Sequence, residues 1–138
     1  MLFELATPAR MLVTAEVDEV VVPGSEGYFG VLPGHAAFLT TLGSGEVTYR
    51  SGQRDHYLAV AGGFAEVRAE RVIILAENAE RPEEIDRARA ERARQRAEMR
   101  LQGKPPDGGP DEIDFARAMA ALARALARLQ VASRALSL

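Results

Sequence analysis

The hydrophobic pattern of this 138-residue chain changes period at Pro82. Ahead of that proline, short runs rich in β-branched residues are separated by turn residues. Beyond it, apolar and charged residues recur at helical spacing. A pattern of period two does not settle as a helix, nor one of period 3.6 as a strand, so the chain must fold as a β part followed by an α part.

In the first part, "MLVTAEVDEVVVPG" mixes alternation at Leu12, Thr14 and Glu16 with the run Val20, Val21, Val22 and stops at Pro23-Gly24. Similar runs recur at "LFELAT", "GEVTYR", "DHYLAVAGG", "FAEVRAE" and "RVIILAE". Many short strands with no helix between them predict an antiparallel sandwich or barrel over residues 1–81.

In the second part, Pro82 suits the first turn of a helix and the acids at 83, 84 and 86 suit its positive end, which predicts a helix over about 82–101. "QGKPPDGGP", residues 102–110, breaks it with prolines and glycines. A second helix is expected over about 111–136. Phe115, Met119, Leu122, Leu126 and Leu129 are spaced 4, 3, 4, 3, the pattern of a seam packing on another helix. Arg117, Arg124 and Arg128 fall roughly opposite and read, from pattern alone, as a solvated face. The first helix would turn Ile85, Ala93, Ala97 and Leu101 inward, a face with little apolar area at about 25 cal/mol per Å². The expectation is an antiparallel two-helix hairpin, weakly docked on a firm β domain and suited to two positions.

Charge and composition narrow the chemistry. The formal charge of −3 divides unevenly: residues 1–81 hold 6 Lys/Arg against 11 Asp/Glu, a net −5, and residues 82–138 hold 11 against 9, a net +2. A hairpin so nearly neutral lacks the uncompensated basic face that nucleic acid demands. "EEIDRARAERARQR" at 83–96 has five arginines nearly balanced by four acids, so any function it has lies in geometry. There is no cysteine. No stretch approaches the roughly 20 apolar residues of a membrane span, and the N-terminus lacks a basic segment followed by an apolar run, so the chain reads as soluble without a cleaved signal. His35 and His56 have no metal-ligand spacing. The glycines of "PGSEGYFGVLPGH" form neither a P-loop nor a dinucleotide fingerprint. No catalytic residues and no metal ligands are expected.

Two stretches taken together carry a resemblance. "VVVPGSEGYFGVLPGHAAFLTTL" followed by "YLAVAGGFAEVRAERVIILAE", then a charged, alanine-rich helical hairpin, is similar to the epsilon subunit of bacterial F-type ATP synthases from about Leu2 to Leu136. The resemblance implies an α+β chain: an N-terminal antiparallel β-sandwich of about ten short strands over 1–81 and a C-terminal helix-turn-helix over 82–138. It implies a non-catalytic rotor component of a proton-translocating synthase, peripheral on the cytoplasmic face of the bacterial plasma membrane. The sandwich would join the gamma subunit to the ring of c subunits. The turn Tyr28, Phe29, Gly30, Val31, Leu32, Pro33, Gly34 and His35 would face that ring, with Tyr28 anchoring by packing.

The resemblance also implies that the hairpin is regulatory: folded on the sandwich, or extended along gamma into the alpha/beta catalytic hexamer, where it inhibits ATP hydrolysis. No cofactor is obligatory, but members of the family bind ATP in the folded state through a motif matched here by Ile85, Asp86, Arg89 and Ala90. Glu80, Arg96, Arg124 and Arg128 match the accompanying nucleotide positions. Guanidinium forks from two helices suit phosphate oxygens. A second copy, "IDFARA" at 113–118, reads as shared helix-start composition. The alternative function is a free-standing ATP sensor outside any rotary complex.

Overall fold

The computed structural model describes residues 1–104 and 114–135. Among them the strands are β1 (Leu2–Ala6), β2 (Met11–Glu16), β3 (Glu19–Gly24), β4 (Gly27–Val31), β5 (Phe38–Thr41), β6 (Ser44–Ser51), β7 (Arg54–Arg68) and β8 (Arg71–Glu80). The α-helices are α1 (Arg87–Leu101) and α2 (Phe115–Arg134). Residues 105–110 of the expected interhelical loop, the expected start of the second helix near 111 and its expected end at 136 lie outside the described residues.

The strands hydrogen-bond in the order β2-β1-β8-β7-β6-β3-β4, with β5 joined to β7. Every pairing is antiparallel except that of β1 with β8. The long β7 turns this path into a sandwich. Its first half pairs with β6 and its second half with β5, while β8 runs along its other side. The two halves meet at Gly62 and Gly63, whose φ values are +70° and +110°. A Cβ on Gly63 would run into the Leu75 carbonyl oxygen, so the bend requires glycine there. The faces that come together bury Phe3, Leu5, Val20, Val47, Leu58 and Ile74 in one core. Pro23 costs no hydrogen bond between β3 and β6, because those strands pair only over Glu19–Val21.

The eight strands differ from the sequence reading in a physical way. "DHYLAVAGG" and "FAEVRAE" are one continuous strand, because the Gly62-Gly63 bend keeps the ladder with β8. "GYFGV" and "FLTT" form β4 and β5 although neither shows clean alternation; backbone pairing with β3 and β7 holds them.

The helical part begins later than its proline. Pro82–Glu84 form a single 3₁₀ turn, Ile85 is extended, and α1 starts at Arg87. Ile85 stays out of the helix because its side chain is buried with Ala59, Val131 and Ala132. Asp86 then caps α1, its Oδ1 accepting the Arg89 backbone N–H at 3.0 Å. Asp114 does the same for Arg117 at 3.0 Å, so the repeated Asp-x-x-Arg-Ala is one helix-start motif used twice.

α2 packs on α1, β6 and β7. Its buried face overturns the expected seam. Phe115, Met119 and Leu126 are 53, 63 and 47 % exposed, while Ala118, Ala125 and Ala132 are buried at seven-residue intervals. On α1 the buried residues are Ala90 and Ala97, also seven apart, with Ala93 and Leu101 half-buried. Alanines let the helix axes approach closely, and their side of α2 also brings Val131 onto the sandwich. Phe115, Met119 and Leu126 are left facing outward, and Leu122 and Leu129 are half-buried.

Candidate functional site

The side of α2 that turns inward carries arginines as well as alanines. At 100° per residue, Arg124 and Arg128 lie roughly beside Ala121 and Val131 on that inner side. Arg124 and Arg128, read from the supposed seam as solvated, therefore lie on the side toward the sandwich, while Arg117 is exposed as expected. Together with α1 that side encloses a cavity of about 580 Å³ between hairpin and sandwich. Arg89, Arg96 and Arg100 enter it from α1, Arg124 and Arg128 from α2, and Glu80 from the end of β8. Ala59, Ala61 and Ala79 supply an apolar wall. Five arginines around one carboxylate leave an excess of positive charge, with forks able to grip phosphate and small side chains leaving room for a ring.

Of the eight residues matched to the nucleotide motif, five line this cavity: Glu80, Arg89, Arg96, Arg124 and Arg128. Ile85, Asp86 and Ala90 do not line it. Ile85 is committed to the small core under α2, Asp86 to the cap, and Ala90 is fully buried. They build the start of α1 and so aim Arg89. Arg100 was not expected and shares the cavity because it lies four residues beyond Arg96. The remaining arginines of 83–96 point elsewhere. Arg94 pairs along the helix with Glu91 and with Glu98, the latter at 2.7 Å, while Arg87 and Arg92 are exposed.

Inside the cavity Arg128 is engaged. Its Nε donates to Glu80 Oε1 at 2.7 Å and its Nη2 to Glu80 Oε2 at 3.2 Å, a two-pronged bond joining α2 to β8. A second junction lies farther along α2. Glu46 of β6 is only 6 % exposed, and its carboxylate accepts Arg134 Nε and Nη2, both at 3.0 Å, and Gln130 Nε2 at 3.3 Å. The Arg134 guanidinium also lies 4.4 Å from the Tyr57 ring centroid. Its hydrogen bond to Glu46 holds the guanidinium pKa above its ordinary value. Sequence reading missed this junction, since Glu46 occupies one position in a strand of ordinary composition.

A third junction seals the joint between the two parts. Arg10 grips Glu84 with both nitrogens at 2.6 and 2.9 Å, and Arg81 Nη2 donates to the Leu12 carbonyl at 2.6 Å. The Arg10 hydrogen bond, with another from the Arg81 backbone, holds the Glu84 carboxyl down to about 2.

The segment from Tyr28 to His35 forms β4 and the turn after it. Tyr28, Gly30, Leu32, Pro33 and Gly34 are exposed, and the His35 imidazole Nδ1 lies 2.7 Å from the Ala36 carbonyl. Phe29 is half-buried against the edge of Phe38. Val31 is fully buried in the core and cannot touch a partner, a correction to its place in the expected contact segment; as the last residue of β4 it points inward opposite Val20. Tyr28 is held across β6, its hydroxyl accepting the Glu46 N–H at 3.0 Å. Gly45 lies beneath it, where a Cβ would run into Tyr28 Oη. A second apolar surface, absent from the sequence reading, is formed by Leu39, Phe64 and Leu75, all exposed, with Phe64 and Leu75 directly paired across β7 and β8. Its signal was alternation in "FAEVRAE" and "RVIILAE" that puts large apolar residues on both faces.

Residues 1–82 match the family described as the ATP synthase delta/epsilon chain, beta-sandwich domain, and residues 83–133 its long alpha-helix domain. The chain is 50% identical over 105 residues to the ATP synthase epsilon chain of Koribacter versatilis, covering 76% of this chain and 74% of that one. It is 50% identical over 104 residues to that of Moorella thermoacetica, covering 75% and 78%. In fold it is similar to a chain in the cryo-EM structure of the Euglena gracilis mitochondrial ATP synthase, with a TM-score of 0.73 at 23% identity, covering 97% of this chain and 79% of that one.

Proposed function

The chain belongs to the delta/epsilon-chain family of ATP synthase as a non-catalytic subunit, and from that premise we propose that it is a central-stalk component whose hairpin senses ATP and restrains hydrolysis. The sandwich joins gamma to the c ring: the Leu39, Phe64 and Leu75 surface suits gamma, and the exposed Tyr28, Leu32 and Pro33 suit the ring. The assembly sits at the cytoplasmic face of the bacterial plasma membrane. No described helix is long and apolar enough to cross a membrane.

The observation that carries the regulatory reading is the convergence of Arg89, Arg96, Arg124, Arg128 and Glu80, from both helices and the sandwich, on one cavity. A polyanionic ligand there contacts all three elements and so favours the folded hairpin over any extended form by its differential affinity. The outward stripe of Phe115, Met119 and Leu126 gives the extended form an apolar face to lay against gamma and the alpha/beta hexamer.

Calorimetry of the isolated chain with ATP, beside the Arg89→Ala/Arg124→Ala double variant, tests the reading. Saturable heat for the parent and none for the variant is expected. No heat from the parent at about 1 mM ATP would leave the cavity without its nucleotide.

A further inference from the structure

α2 is bonded to the sandwich through polar side chains at two separate places. Glu80 holds Arg128 inside the cavity, while Glu46 holds Arg134 and Gln130 beyond it, with Tyr57 under the guanidinium. The first lies where a phosphate would bind, so an anion competes with Glu80 for Arg128. The second shares no residue with the cavity lining. Glu46 is also the more deeply buried carboxylate: its side chain is 8 % exposed against 32 % for Glu80. Glu46 accepts three hydrogen bonds from α2 side chains where Glu80 accepts two, and in a drier setting where each is stronger, so the Glu46 contact resists opening more than its counterpart does.

We propose that Glu46, Gln130, Arg134 and Tyr57 form a nucleotide-independent latch that keeps the hairpin folded while ligand exchanges with Glu80 at Arg128. The latch sets the folded fraction in the absence of ligand. Because apparent affinity scales with the fraction already competent to bind, it also tunes nucleotide affinity without touching nucleotide. That last consequence rests on the ATP reading; the latch itself does not.

The absence of cysteine makes the test clean. The full-length chain with Arg54→Cys in the sandwich and Ala123→Cys on α2, both exposed positions, takes one spin label at each. Inter-label distances are then measured without ATP, and ATP affinity by calorimetry. The parent is expected to show a single short distance. Glu46→Gln, and Arg134→Gln, which leaves β6 unaltered, are expected to add a longer-distance population and to weaken ATP by about tenfold. Glu80→Gln should leave the ligand-free distances short. Unchanged distances in both latch variants overturn the proposal whatever ATP does. Lengthened distances with no ATP binding by any chain would keep the latch and remove the nucleotide.

Discussion

The sandwich and the hairpin bury different things. The sandwich hides Phe3, Leu5, Leu58, Ile74 and six valines among the largest fully buried side chains. The hairpin hides mostly alanines, and its own large side chains, Phe115, Met119 and Leu126, face outward. Buried apolar area drives folding, so the sandwich is held by its core, while the docked hairpin depends more on specific polar contacts to Glu46 and Glu80. Directional contacts can be exchanged for others of similar strength, whereas a packed core cannot be half released. One part is held by its core and the other by contacts open to exchange.

The sharpest way to break that comparison is to make a cavity in the sandwich. Ile74→Ala should cost about 2–5 kcal/mol of global stability, read as a fall in denaturant midpoint at every probe, sandwich and hairpin alike. A fall confined to hairpin probes would show that the sandwich does not carry the fold.

The next effect reverses the direction and fills space. Ala125→Leu inserts bulk between closely approaching helices and should cost about 1–3 kcal/mol, all of it in docking. Hydrogen exchange of α1 and α2 amides should quicken while the sandwich amides keep their protection. If sandwich protection fell equally, the two parts would be one cooperative unit.

These two substitutions also mark how far the sequence could be read. The β part was legible because alternation and β-branched runs report burial directly: β1, β6 and β8 lie where "LFELAT", "GEVTYR" and "RVIILAE" predicted. β4 and β5 were hidden because backbone pairing, not side-chain pattern, makes them strands. The hairpin was legible as two helices but not as to which face is inward. The 4, 3, 4, 3 spacing of Phe115 to Leu129 marks an apolar face, yet spacing does not say which partner the face meets. The alanine side won because it fits the close approach to α1. Four of the five arginines of the cavity were named from motif positions; that Arg124 and Arg128 share an inner wall with Arg89 and Arg96 required knowing that the seam points out.

Substitution on that outward stripe should therefore be nearly silent in the isolated chain. Leu126→Ser is expected to change stability by no more than about 0.5 kcal/mol, and to leave ATP affinity unaltered. In the assembled enzyme the same change should weaken inhibition of hydrolysis, since the stripe is the face proposed to dock in the extended form. A large loss of stability in the isolated chain would mean that the stripe is buried after all.

The smallest expected effect lies at the joint, where Arg10 and Glu84 tie the 3₁₀ turn to the β1–β2 connection. The Glu84 carboxyl has its pKa held at about 2 in the folded chain against an ordinary 4.5. A depressed carboxylate pKa means that the unfolded chain binds the proton first as pH falls. The contribution of this pair is therefore complete above about pH 4.5 and is lost progressively toward about pH 2. Glu84→Gln should flatten the acid slope of stability in that window, and the two chains should converge at its lower end. Because the pair is solvent-exposed, added salt should shrink the difference at every pH. The change should register at the Pro82–Glu84 turn before the strands, since this contact positions the hairpin's root and leaves the sandwich core untouched. Equal acid slopes in parent and variant at low salt would show that the joint is held by Ile85 and Arg81 without help from the ion pair.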